Sequence, residues 1–150
     1  MNLFFKLFGI VLIIAAATSL GFYKASCVCE EEKLLSRICH SLHSLREKIR
    51  LNYGEMSVII PLCFSAEILN IKNGKVNINT KVPTIERQLL SEYFNTAGMG
   101  DIISETEKAD TYISAFEKRL YNKQIKTKEL CKLYRTVGFL CGLFLSIFMI

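Results

Sequence analysis

The sequence predicts an all-α protein, an antiparallel helical hairpin or bundle flanked by a transmembrane helix at each end. Three observations carry this reading. Charge-free apolar runs occupy both ends of the chain. Two long segments between them contain no Gly or Pro. Within those segments apolar residues return at three- and four-residue steps, the spacing of one helix face. The predicted division is residues 1–24 for the first span, 25–132 for a helical domain and 133–150 for the second span. The 150-residue chain thus keeps only about 110 residues for one small domain.

The first run, Leu7 to Tyr23, holds no charged residue. Its 17 residues reach about 26 Å as a helix, close to a hydrocarbon core of about 30 Å. Lys6 can snorkel at one end, with Tyr23 and Lys24 at the other interface. A cleaved signal peptide is the competing reading. Its charged region would hold only Lys6, and its apolar stretch would exceed the usual ~7–15 residues. A lipidated Cys27 is a second alternative, which the charged Lys24 before Ala25-Ser26 fits badly.

The final run, Val137 to Ile150, gives about 21 Å; starting at Leu133, with Arg135 snorkelling, it gives about 27 Å. A buried core helix competes, but the run carries one Ser and no polar face, so a span is favoured. Small residues recur four apart, Ala17 and Gly21 in the first run and Gly138 and Gly142 in the second, a spacing that lets helix backbones approach in lipid.

Charge sets the orientation. Lys118, Arg119, Lys123, Lys126, Lys128, Lys132 and Arg135 precede the second span, against a single Glu129. The tail before the first span offers Lys6 and the amino terminus. Positive charge beside a span marks the cytoplasmic side, so the domain is expected in the cytoplasm with both termini outside. The net charge of +5 and the lack of aromatic interleaving disfavour nucleic-acid binding. Anionic lipid head groups suit the basic stretch better.

Within the domain, Leu35, Ile38, Leu42, Leu45 and Ile49 form one stripe of a helix that Asn52-Tyr53-Gly54 ends. A short helix is expected from about Pro61 to Leu69, with Pro in its first turn. Ile71 to Val82 carries Asn-Gly and reads as a loop, with a brief strand at Val76 and Ile78 as the alternative. Thr84 is expected to cap a helix whose apolar face is Leu89, Leu90, Tyr93 and Phe94. Thr96 to Asp101 is a turn. A last helix starts near Asp101, with Ile102, Thr106, Ala109, Ile113, Phe116 and Leu120 as its stripe. The first and last helices should pack antiparallel as a stem.

Chemistry is sparse. Cys27, Cys29, Cys39, His40 and His43 invite a metal reading, yet only Cys39 and His43 share a helix face, and two ligands do not close a site. The six cysteines show no paired spacing, and in a cytoplasmic domain they stay reduced. Gly98-Met99-Gly100-Asp101 lacks the Lys and spacing of a phosphate loop, and no nucleophile elbow occurs. Glu105 and Glu107 suit a helix start. The sequence therefore predicts no enzyme, no cofactor, no metal and no small-molecule substrate. A membrane assembly subunit and a small membrane regulator outside any secretion-like complex are the two function classes.

Specific segments carry a resemblance. They are Leu20-Gly21-Phe22, Leu51-Asn52-Tyr53-Gly54-Glu55, Pro61-Leu62, Ala97-Gly98-Met99-Gly100-Asp101 and the ending Lys132 to Leu143. With these the chain resembles the stage III sporulation protein AB family of endospore-forming bacteria. Ala97 stands where that family has Leu, and Asn70 to Val82 is shorter than the family's segment, lacking a helix there. The resemblance implies a mother-cell membrane protein of the outer forespore membrane, in a secretion-like channel complex needed after engulfment. It implies a cytoplasmic domain similar to the F platform protein of type II secretion systems, with other channel subunits and a cytoplasmic ATPase as partners. Gly98, Gly100 and Asp101 would then form a partner-facing turn, and Gly138 and Gly142 a packing surface in the membrane.

Overall fold

The computed structural model describes residues 2–72 and 75–148. In chain order the elements are α1 (Asn2–Arg50), α2 (Met56–Cys63), β1 (Leu69–Lys72), β2 (Lys75–Ile78), α3 (Thr84–Thr96) and α4 (Ile102–Phe148). The chain divides into two compact units, Met1–Glu32 with Asn122–Ile150, and Lys33–Tyr121. Helices α1 and α4, of 49 and 47 residues, contribute to both and pack antiparallel.

In the unit Lys33–Tyr121 the expected α1 stripe forms the core. Leu35, Ile38, Leu42, Leu45 and Ile49 are all buried. They meet Ile59, Ile60, Phe64, Leu90, Tyr93, Ala109, Ile113 and Phe116. The α4 stripe holds at Ala109, Ile113 and Phe116 but not at its start, where Ile102 is exposed. Phe64, Phe94, Tyr93 and Tyr112 stack edge-on or tilted at 5.2–5.5 Å, extending the core beneath α3. Polar links hold α1 to α4 at the surface: His43 Nε2 lies 2.9 Å from Glu117, and Arg46 donates to Asp110 at 3.2 Å.

Helix α1 ends as the sequence predicts. Asn52 takes a left-handed φ of +49°. The Asn52 N–H then bonds the Ile49 carbonyl at 2.9 Å and the Tyr53 N–H the Lys48 carbonyl at 3.1 Å, the paired bonds of a Schellman cap.

Three local expectations change. The short helix is α2, which begins five residues earlier than expected; Pro61 lies inside it rather than opening it. Its apolar residues Ile59 and Ile60 seat it on the core, and tertiary burial outweighs the preference of Pro for a first turn. The segment read as a loop is an antiparallel hairpin with Leu69 opposite Ile78 and Lys72 opposite Lys75. Leu69, Ile71, Val76 and Ile78 turn to the core while Asn70, Lys75 and Asn77 are exposed. The Asn-Gly dipeptide between alternating residues is the strongest short hairpin signal, and here it outweighs the polar composition that favours a loop. Asn73-Gly74 itself lies outside the described residues, as do the side chain of Lys6, the expected outer anchor, and the final Met149-Ile150.

Third, Pro83 rather than Thr84 occupies the cap position of α3, with no side-chain cap bond. Arg87 instead gathers the preceding chain, donating to the Thr80 and Val82 carbonyls at 2.7 and 2.8 Å.

The unit at the chain ends is of a different kind. The apolar segments of α1 and α4 are each long enough to cross a membrane and stay mostly exposed. Core helices of soluble proteins bury their apolar faces; here Val11, Leu12, Leu20, Phe22, Leu140, Phe144 and Leu145 are exposed.

Burial predicts where the domain is sensitive. Leu42→Ala should cost roughly 2–5 kcal/mol, because the fully enclosed site leaves a cavity. Ile103→Ala, at an exposed position, should stay within about 0.5 kcal/mol. Denaturant unfolding of the detergent-solubilised chain measures both.

Candidate functional site

Two surfaces stand out, one in each unit. The first is the turn between α3 and α4. Its organising group is the Glu105 carboxylate in the opening turns of α4, almost wholly buried. One oxygen accepts from the Gly98 N–H at 3.1 Å. The other accepts from the Gly100 N–H at 3.0 Å and from Lys108 Nζ at 3.0 Å. A buried carboxylate is stable only when so satisfied.

The two glycines suit their positions for different reasons. Gly98 sits at φ +84°, where a Cβ is strained. Gly100 has no such dihedral, but a Cβ there would lie 3.0 Å from Ser104 Oγ and 3.1 Å from the Glu105 carboxylate. Asp101 is exposed and accepts from the Ser104 N–H at 3.3 Å, the bond of a helix N-cap. Gly98, Gly100 and Asp101 thus form one turn held by Glu105. From sequence, Glu105 is only an acid suited to a helix start. The available signal was a Gly-x-Gly a few residues ahead of an acid, which sequence alone does not separate from a solvated one.

Beside the turn lies an open groove of about 460 Å³, lined by Ile49, Asn52, Met56, Ala97, Gly98 and Ile102 among others. Leu51, Tyr53, Met99 and Ile103, neighbours of lining residues in the chain, are exposed. Met99 is 80% exposed at the apex of the turn, where a long apolar side chain has no core to enter.

The second surface is the seam between α1 and α4 in the other unit. A Cβ on Gly21 would stand 2.7 Å from the Tyr134 carbonyl and 3.2 Å from Gly138 Cα. One on Gly138 would stand 3.1 Å from the Ala17 carbonyl, and one on Gly142 3.1 Å from Ile14 Cα. These are backbone atoms that cannot step aside. Further along, Lys123 meets Glu31 at 2.6 Å, and the Arg135 guanidinium lies 5.2 Å from the centre of the Phe22 ring.

The groups considered for metal are dispersed. Cys39 is buried, and the hydrophobic surroundings, aided by Glu117, push its thiol up to about 11. His43 faces Glu117. Among the described residues no three His, Cys, Asp or Glu side chains gather closely enough to hold an ion. Of the basic residues before the second apolar run, Arg119 binds Glu86 through two nitrogens at 2.9 and 3.1 Å, while Lys118, Lys126, Lys128 and Lys132 stay exposed.

Glu105 gives the turn a pH dependence. Burial pushes its carboxyl up, but the bonds from Gly98, Lys108 and Gly100 outweigh burial and hold it below its ordinary value of 4.5. A carboxyl depressed in the folded state adds stability above its unfolded value, lost as pH falls through the folded one. Stability should therefore decline on acidification below about 4.5, and Glu105→Gln should flatten that decline. Melting temperatures of both proteins across pH 3–7 check this.

A sequence model of the family described as stage III sporulation protein AB matches residues 66–150, more than half of the chain. The match takes in the Gly98–Asp101 turn, Glu105, Gly138 and Gly142, and leaves out the residues before Ala66. No curated protein and no solved structure matches the chain. On the strength of residues 66–150, this chain belongs to the stage III sporulation protein AB family.

Proposed function

We propose that the protein is a non-enzymatic platform subunit of a secretion-like channel complex joining mother cell and forespore, required after engulfment. It crosses the mother-cell membrane around the forespore twice, through residues 1–24 and 133–150, and holds residues 25–132 in the cytoplasm. One observation carries the reading: a sporulation family member ends in two long apolar helical segments that stay exposed in the folded chain. Exposed apolar helix surface of this extent is stable in lipid and a liability in water.

The rest fits that frame. Lys126, Lys128 and Lys132 beside the second segment favour the cytoplasmic side. The seam of Ala17, Gly21, Gly138 and Gly142 pairs the two spans, since lipid offers no hydrophobic drive and helices associate there by close backbone packing. The Gly98–Asp101 turn, at the start of α4 and so at its end opposite the apolar segment, is the docking surface for the cytoplasmic ATPase of the complex. The exposed Met99 and Ile103 supply the apolar contact.

Gly98→Leu is a poor probe of that contact, because its positive φ makes the variant a folding lesion too. Met99→Asp with Ile103→Asp leaves the core and the Glu105 bonds untouched. This double variant should lose at least tenfold in pull-down with the ATPase at an unchanged melting temperature. Undiminished binding would rule the turn out. Deletion of the gene should arrest development after engulfment while vegetative growth continues; arrest of growth would favour a general envelope role instead.

A further inference from the structure

Two cysteines far apart in sequence meet between α1 and α4. Cys29 Sγ lies 3.1 Å from Cys131 Sγ, and both residues belong to the same compact unit. The other four cysteines have no such pairing among the described residues. Cys27, two residues away, is exposed, as is Cys141; Cys39 is buried and Cys63 half-buried. The meeting is imposed from both sides. Toward the chain ends, Gly21 brings the helices into backbone contact with Tyr134 and Gly138. Toward the middle of the chain, the Lys123–Glu31 ion pair ties the same helices at 2.6 Å. Cys131 Sγ also reaches the Ala25 carbonyl at 3.4 Å, which limits its rotation.

We infer that Cys29 and Cys131 form an oxidant-responsive modification site, which closes to an intramolecular disulfide tying α1 to α4 beside the apolar segments. The half-exposed Cys29 leads the reaction and the buried Cys131 resolves it. With a small-molecule disulfide as oxidant, the Cys29 thiolate attacks one of its sulfurs. The oxidant's S–S bond breaks and one thiolate leaves. Cys131 then gives up its proton and attacks the Cys29 sulfur of the mixed disulfide, releasing the second thiol. The protein is oxidised by two electrons, and one disulfide becomes two thiols. On a reducing face the pair rests as thiols. The two sulfurs start 3.1 Å apart, and once they are bonded the two helices cannot part at this level.

The full chain in lipid nanodiscs, reduced and then freed of reductant, is incubated with oxidised glutathione. Remaining thiols are blocked, and the protein is digested with trypsin. The expected product is an internal link between the peptides Ala25–Lys33 and Glu129–Lys132, in protein that runs as a monomer, with fragment ions placing the bond on Cys29 rather than Cys27. Cys27→Ser should keep the link, and Cys29→Ser should return Cys131 to the blocked, unlinked pool. A Cys131 that stays fully alkylated in wild type, a bond mapped to Cys27, or a link found only in dimers would each overturn the inference. The mapping in wild type stands whether or not a variant folds.

Discussion

The antiparallel pairing of α1 with α4 is the constraint on which the other features depend. Two forces of different origin hold it in the two units. Between Lys33 and Tyr121, Leu42 and Leu45 of α1 bury against Ala109, Ile113 and Phe116 of α4, and the hydrophobic effect drives them together. In the unit at the chain ends both helices show their large apolar side chains to the outside. There Gly21, Gly138 and Gly142 let backbone pack closely on backbone, and the Lys123–Glu31 pair and the Cys29–Cys131 meeting join the same helices. One pair of helices thus buries its apolar stripe in one stretch and leaves apolar side chains exposed in the other, as the proposed membrane spans require. The same pairing brings Cys29 to Cys131, residues that nothing in their sequence spacing connects.

The turn between α3 and α4 is the counterpart of this pairing at the other end of α4. A chain leaving one helix and entering another exposes unpaired N–H groups. Here the Glu105 carboxylate gathers two of them and Lys108 balances its charge. The turn is therefore braced from within, and Met99 stands outward at its apex. A loop braced by such bonds loses little order on meeting a partner, as the proposed docking role requires.

Most of the fold was legible in the sequence because its strongest signals are periodic. The Leu35-to-Ile49 stripe and the end of α1 at Asn52 emerge as read, and so does the α3 face at Leu90 and Tyr93. The misses are local and have physical causes. Pro61 misplaced α2, since a proline tolerated inside a short packed helix looks like one that opens a helix. The hairpin at Leu69–Ile78 is visible only as the alternative strand at Val76 and Ile78, because four-residue strands carry too few residues for alternation to outweigh an Asn- and Lys-rich composition. The role of Glu105 and the meeting of Cys29 with Cys131 were invisible for a deeper reason. Both depend on which residues the completed tertiary structure brings together, over seven residues in one case and over a hundred in the other.

In the proposed arrangement a cytoplasmic helical domain hangs between two spans. Labelling with a membrane-impermeant thiol reagent tests it most directly. Cys39 is buried and Cys63 half-buried, so neither reports cleanly; the exposed Cys27 and a cysteine introduced at the exposed Lys81 do. With the chain expressed in the plasma membrane of vegetative cells, both should resist the reagent in intact cells and react in inverted vesicles. Labelling of Lys81→Cys from outside intact cells would contradict the account.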